Sequence, residues 1–223
     1  QAGQLHLLVS RGNLISFIED ACENIRPMAE HQQVTLSLEK PKTEGAAWFD
    51  ADKIDKIIYN LLSNAIKYNK VGGKIKVSLS LSKDQAVITI KDNGIGMSKE
   101  KMKHLYTRFF DGDYRKQNQP GTGIGLSLTH DLVKLHHGNI QCESQEGEGT
   151  TFTITLPIRK SAYAPDEIDN SDKPNAVNQE AIRQASLEMK QVSQPVSDEK
   201  PKLAPVRQSI FIRKNVSKIL VVE

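Results

Sequence analysis

The spacing of apolar residues changes period several times along the chain, and each change marks an element. Leu5, Leu7 and Val9 alternate, the period of a strand. Ile15, Ile18, Cys22, Ile25 and Ala29 then recur at three- or four-residue intervals, which predicts a helix from Leu14 to about Gln32 with Asn13 as its N-cap. Pro27 falls inside that helix, removes a backbone donor and is expected to kink or divide it. Val34, Leu36 and Leu38 restore alternation, residues 41–45 read as a turn, and residues 47–49 as a short strand.

Residues 49–70, FDADKIDKIIYNLLSNAIKYNK, predict the central helix. Ile54, Ile57, Ile58, Leu61, Leu62, Ala65 and Ile66 form a stripe fit for burial. Asn60, Asn64, Lys67 and Tyr68 stand at offsets of 0, 4, 7 and 8. At about 100° per residue they share one edge of that stripe. The edge could be the wall of a polar cleft or the flank of an ordinary amphipathic helix. Further on, Ile75, Val77, Leu79 and Leu81 alternate, and a turn leads into residues 86–90, which predicts a β-hairpin ending in Asp92-Asn93-Gly94-Ile95-Gly96. Residues 97–120 are polar, with Tyr106, Phe109 and Phe110 among them. A helix runs from Leu126 to about His137, with Gly138 as its C′ glycine, and residues 140–143 and 151–156 make a last hairpin. The order predicts an α/β sandwich, a mixed sheet with helices on one face.

Residues 161–216 break the pattern. They hold five of the nine prolines, no glycine and no sustained apolar period, and read as a linker. Residues 217–223 hold the apolar run Ile219-Leu220-Val221-Val222 followed by Glu223, like a first buried strand of a further domain. The chain lacks an initial Met, so it is expected to be a fragment, with residues 1–12 finishing an upstream region and residues 13–160 forming the folded domain. The net charge of +3 is too small to argue for nucleic acid or an anionic membrane. No apolar run approaches the roughly 18–20 residues that span a bilayer. Cys22 and Cys142 stand apart, which makes a disulfide framework or zinc site a poor expectation and suits a cytoplasmic setting.

The glycines carry the chemistry. A GxGxxG fingerprint starting at Gly121 fails at Leu126, and there is no GxxxxGK[ST]. Gly94 and Gly96 would let backbone approach a flat ligand. Gly121, Gly123 and Gly125 would leave N–H groups at a helix start, suited to phosphate oxygens. Asp92 can accept from an exocyclic amine, Asn64 can offer a carbonyl oxygen to Mg²⁺, and Lys67 can neutralise phosphate.

Residues 60–68, 92–97, 106–110 and 121–126 resemble, in order, the asparagine box, the first glycine box, the phenylalanine box and the second glycine box of the histidine-kinase ATP-binding domain. That domain belongs to a superfamily with gyrase B, the large heat-shock chaperone and MutL. The resemblance covers about residues 5–158. SKILVVE is similar to the opening strand of a response-regulator receiver, and FFDGDYRK and SLTHDLVKLHHG to hybrid sensor kinases.

The resemblance implies ATP and Mg²⁺ as cofactors. Asn64 would bind the metal, supported by Asn60, and Lys67 would reach phosphate. Tyr68 would pack on the nucleotide. Asp92 would take the adenine amino group in a pocket shaped by Gly94, Gly96 and Met97. Residues 98–120 would form a lid, and Gly121, Thr122, Gly123, Gly125 and Leu126 would border the phosphates. Hydrolytic members place glutamate where this chain has Asn60, and an amide is no general base at neutral pH. Asp111 stands where the family often has arginine; its phosphate role would pass to Arg115, or else to Arg108, or be lost. None of His6, His31, His104, His130, His136 and His137 lies in the phosphoacceptor pattern, so the accepting histidine is expected outside this chain. The His136-His137 pair reads as a helix end favouring positive charge rather than as a metal site. The implied partners are the protein's own dimerisation helices and receiver, in a homodimeric, membrane-anchored kinase whose catalytic part faces the cytoplasm, with neither nucleic acid nor membrane bound by this fragment. A nucleotide-responsive scaffold and a serine kinase or ATPase of the same fold are the alternatives.

Overall fold

A computed structural model describes residues 6–107 and 125–169. The elements are β1 (Ser10–Asn13), α1 (Leu14–His31), β2 (Thr35–Glu39), β3 (Ala46–Phe49), α2 (Ala51–Lys67), β4 (Lys74–Leu81), β5 (Gln85–Asp92), α3 (Lys99–Lys103), α4 (Gly125–Leu135), β6 (Asn139–Gln145) and β7 (Gly149–Pro157). Five strands form a mixed sheet in the order β2-β4-β5-β7-β6, and β1 pairs with β3 in a separate ribbon. The β2–β4 pairing is parallel and the other pairings of the large sheet are antiparallel.

Alternation decides which sheet face is covered. Ile75, Val77 and Leu79 of β4, Ala86, Ile88 and Ile90 of β5, and Phe152, Ile154 and Leu156 of β7 are buried in register, while the residues between them are exposed or half-exposed. Ile15, Ile18, Cys22 and Ile25 of α1 and the stripe of α2 enter the same core, joined by Leu132 and Val133 of α4. The helices therefore cover one face, as the periodicity predicts.

Four local expectations change. Leu7 and Val9 are buried and Leu8 exposed, so the alternation is real, but the paired strand begins at Ser10; Val9 makes an isolated parallel bridge to Ile168. Leu5 lies outside the described residues. Pro27 does not divide α1, which runs on to His31. Proline costs one donor, and the turn before it is held by Arg26, which donates to the Leu36 carbonyl and to Glu23. The left-handed residue after α4 is His137, at φ 57°, not Gly138. Gly138 N–H donates to the Val133 carbonyl and His137 N–H to that of Lys134, a Schellman closure displaced by one residue. His137 is held there by hydrogen bonds of 2.9 and 3.0 Å from its Nε2 to the Glu167 carboxylate and by the Tyr163 ring at 5.7 Å. Gly138 is needed because a Cβ there would collide with the Thr155 carbonyl oxygen.

The fourth change concerns residues 161–169, expected to begin the linker. They pack onto the domain: Tyr163 joins Leu7 and Val9 in a second small core, and its hydroxyl donates to the Pro157 carbonyl at 2.7 Å. Val9 N–H donates to Glu167 and Asp169 N–H to Val9, so the incoming and outgoing segments run side by side. A compositional reading could not find this boundary, because the ties are mostly backbone. The rest of the expected linker, from residue 170, and the receiver-like residues 217–223 lie outside the described residues.

One residue of α2 breaks its own pattern. Asp55 is only 4% exposed, and its pKa is raised to about 6, first by burial and then by Asp52, against the pull of Lys56. A raised carboxyl pKa means that the folded state holds the proton more tightly, so this stabilisation is present at low pH and lost as pH rises through about 6. We expect Asp55→Asn to differ little from the native chain at about pH 4 and to exceed it by up to about 3 kcal/mol above pH 7. Urea denaturation across that range checks this, and a difference independent of pH would refute it.

Candidate active site

The site begins with the cap of α2. Asp50 Oδ1 accepts from Lys53 N–H at 3.2 Å, while its Oδ2 pairs with Lys53 Nζ at 2.6 Å and accepts from Leu8 N–H at 2.9 Å. Asp50 N–H donates to His136 Nε2 at 3.3 Å, and His136 Nδ1 lies 2.9 Å from the Leu132 carbonyl. Nε2 must therefore accept and Nδ1–H must donate, which is the neutral ring; burial lowers its pKa accordingly. The expectation that His136 carries positive charge at the helix end is corrected: desolvation outweighs the helix dipole.

Nearly three turns further along, the polar edge of α2 meets α4. Asn60 Nδ2 donates to Thr129 Oγ1 at 2.7 Å, and a Cβ on Gly125 would strike Asn60 Oδ1. Asn64 is half-buried on the next turn of the same edge. Lys67 is also half-buried, with Nζ 5.1 Å from the Tyr68 ring centroid, and burial lowers its pKa. Tyr68 is the C-cap residue of α2.

The end of α2 is fastened to the turn after β5. Ile95 N–H donates to the Tyr68 carbonyl at 3.0 Å, and a Cβ on Gly94 would collide with that same oxygen. Asp92 Oδ1 accepts from Gly94 N–H at 2.8 Å and from Thr150 N–H at 3.3 Å. Both bonds use one oxygen, so Oδ2 meets no donor among the described residues. Burial raises the Asp92 pKa, and the two backbone bonds pull it down. Gly96 has φ 63°, and a Cβ on it would overlap the Gln145 carbonyl; Met97 N–H donates to Ser144 Oγ at 2.9 Å. Tyr106 lies with its ring 4.8 Å from that of His130 on α4.

Asn60, Asn64, Lys67 and Tyr68 thus share an edge, with Gly125 against Asn60 and with Asp92, Gly94, Gly96 and Met97 in the turn tied to Tyr68. Leu126 follows Gly125 on the first turn of α4, half-buried against the core. Arg108, Phe109, Phe110, Asp111, Arg115, Gly121, Thr122 and Gly123 lie outside the described residues. Sequence reading missed Thr129, Ser144, Gly149 and Thr150. Gly149 has φ 122° and no room for a Cβ beside the Asp92 carbonyl, and Ser144 Oγ donates to its carbonyl at 2.9 Å. Thr129 could have been found as the residue one turn after Gly125; Gly149 and Thr150 act through their backbone, which leaves no pattern.

The profile of the histidine kinase-, DNA gyrase B- and HSP90-like ATPases matches residues 49–160. The chain belongs to this family. It is 36% identical to sensor histidine kinase TmoS of Ectopseudomonas mendocina over 79% of this chain and 19% of that one. Identity is 28% to histidine kinase P4 of Formosa agariphila, over 99% of this chain and 16% of that one. It is 35% to sensor histidine kinase WalK of Bacillus subtilis, over 60% and 22%. The chain thus spans about a fifth of the length of these relatives. In fold it matches the nucleotide-free catalytic domain of histidine kinase ThkA, with a TM-score of 0.60 at 21% identity over 70% of this chain and all of that one. Histidine kinase AdeS of Acinetobacter baumannii gives 0.57 at 23%, over 70% and 71%. The fold and the family are those of a histidine-kinase ATP-binding domain.

The residues fit a nucleotide. Asp92 keeps an acceptor oxygen at a half-buried position, the Gly94 turn comes as close to α2 as a glycine allows, and the α2 edge supplies two amides and an ammonium. The turn allows a direct check. Gly94→Ala should push the turn off the Tyr68 carbonyl, lower stability by roughly 1–3 kcal/mol and weaken ATP at least tenfold. Thermal melting with nucleotide titration measures both, and native-like affinity would show that the close approach does not matter.

Proposed function

We propose that this domain holds ATP with Mg²⁺ and donates the γ-phosphoryl group to a histidine on a dimerisation helix of the same protein, within a homodimeric two-component sensor kinase. The observation that supports the reading is the junction of α2 with the turn after β5: the Tyr68 carbonyl holds Ile95 N–H, which ties the turn that follows Asp92 to the end of the helix that carries Asn60, Asn64 and Lys67. Bound there, ATP supplies the phosphoryl group and Mg²⁺ the countercharge that phosphoryl transfer requires. Asn64 offers a hard oxygen to the metal and Asn60 supports it from the preceding turn. Lys67 sets an ammonium toward phosphate. Asp92 Oδ2 accepts from the exocyclic amine of adenine, and Tyr68 packs against the base. Asn60, being an amide, cannot take a proton from water, so this arrangement favours transfer over hydrolysis. The likeness of residues 217–223 to a receiver strand supports a hybrid kinase, and the family's use of sensors supports a membrane-anchored protein with this part in the cytoplasm.

Asn64→Ala and Asp92→Ala should each weaken Mg-ATP by roughly 10–100-fold while leaving the fold intact. Titration with a fluorescent ATP analogue measures this, and unchanged binding in both would sink the assignment. With γ-labelled ATP, label should pass to a separately supplied dimerisation-helix segment bearing the acceptor histidine, and ADP should form slowly without it. Rapid steady-state ATP turnover by the domain alone would favour an ATPase instead.

A further inference from the structure

We propose that Ser144 is a positioning residue for adenine recognition: it holds the peptide group between Gly149 and Thr150, which in turn fixes one oxygen of Asp92 and leaves the other to the base. The inference rests on the reading that Asp92 accepts from the adenine amine. The inward positions of β6 run Ile140, Cys142, Ser144, so alternation places a hydroxyl directly across from Thr150 of β7. Ser144 Oγ accepts from Met97 N–H at 2.9 Å, and it lies 2.9 Å from both the Gly149 carbonyl oxygen and Thr150 Oγ1. The hydroxyl has one proton and two acceptors within reach. Given to the Gly149 carbonyl, the proton completes all three bonds, because Thr150 can then donate to Ser144. Given to Thr150, it leaves that carbonyl without it.

The Gly149 carbonyl and the Thr150 N–H belong to one planar trans peptide group and point opposite ways. Its oxygen end accepts from Ser144, and its nitrogen end donates to Asp92 Oδ1 at 3.3 Å. Gly149, at φ 122°, has no side chain to restrict rotation of that group. Turned over, the group would set a carbonyl oxygen against the Asp92 carboxylate; the Ser144 bond opposes that turn. Gly94 N–H reaches the same Oδ1 at 2.8 Å, so the carboxylate is held at one oxygen. The linked bonds also polarise one another, which favours the ionised carboxylate, the form in which both oxygens only accept. Burial raises the Asp92 pKa, and the Gly94 and Thr150 bonds oppose that rise. Cys142 lies near enough to feel the Asp92 charge, but its thiol, pushed up to about 12 first by burial and then by Asp92, stays neutral at physiological pH.

Ser144→Ala deletes the hydroxyl, and Ser144→Thr keeps it. ATP and ITP, whose base carries an oxo group in place of the amine, are each used to displace a fluorescent nucleotide from the chain. Ser144→Ala should weaken ATP about tenfold and ITP by no more than about twofold, while Ser144→Thr should keep the native preference. In the ligand-free chain, the carbon-13 resonance of the Asp92 carboxyl should titrate at higher pH in Ser144→Ala than in the native chain, since a bond to the ionised form is lost. An unchanged preference for ATP in Ser144→Ala would overturn the proposal. So would an equal loss of both nucleotides, which marks a packing role, or an Asp92 titration that does not move. If Ser144→Ala does not fold, Ser144→Cys, whose thiol is a weak donor, gives the same readout. Should the native chain not prefer ATP to ITP, or Asp92→Ala keep that preference, the underlying reading fails; should both behave as expected while Ser144→Ala is silent, only the role of Ser144 fails.

Discussion

The Asp50 carboxylate is the point at which separate parts of the domain are held together. It caps α2, pairs with Lys53, and holds the incoming chain through Leu8 N–H, while its own N–H reaches His136 at the end of α4. The ion pair is largely buried, with side-chain exposures of 12% and 6%. Its attraction must offset the desolvation of two charges, which makes such a pair a weak source of net stability. What it does provide is direction: N-cap, incoming segment and α4 terminus can all be satisfied only in one arrangement. The start of α2 and the end of α4 are thus fixed together, and the two helices meet again at the Asn60–Thr129 hydrogen bond. The neutral state of His136 belongs to the same logic, since a protonated ring could not accept from Asp50 N–H.

The other end of α2 is set by backbone rather than charge. The Tyr68 carbonyl takes Ile95 N–H and leaves no room for a Cβ at Gly94, while Gly96 and Gly149 are pressed against the Gln145 and Asp92 carbonyls. Each contact brings two main chains closer than side chains would permit. Asp92 is then fixed by Gly94 and Thr150 N–H through one oxygen, and no donor among the described residues meets the other. An acceptor held this way needs little reorganisation on binding, which is how a cleft of few polar groups can be selective.

The layers of the fold were legible because burial on one face writes itself into the sequence as a period, of two for β4, β5 and β7 and of about 3.6 for α1 and α2. The same regularity put Asn60, Asn64, Lys67 and Tyr68 on one edge. Where reading failed, the decisive force had no period. His137 takes the left-handed turn in place of Gly138 because Glu167, distant in sequence, pins its ring. Residues 161–169 read as linker because proline and polar residues dominate them, yet their backbone pairs with Val9. Pro27 was expected to kink or divide α1; the helix is not divided, and Arg26 ties the turn before it to β2. Thr129, one turn after Gly125, was passed over for another reason: one buried threonine on a helix looks like packing until its hydrogen bond to Asn60 on α2 is known.

That partner also bears on what the cleft can do with a bound nucleotide. A general base must be able to take a proton near neutral pH, and an amide cannot. The Asn60 amide is moreover hydrogen-bonded to Thr129 at 2.7 Å and packed against Gly125, which holds it in place. Lys67 adds positive charge, its pKa lowered by burial, on the same edge. A cleft assembled from preorganised dipoles and one ammonium stabilises charge and fixes position, which is the larger part of what phosphoryl transfer asks of a protein. On this reading the accepting nucleophile comes from elsewhere, and the selectivity of the reaction lies in which group is brought to the open side of the cleft.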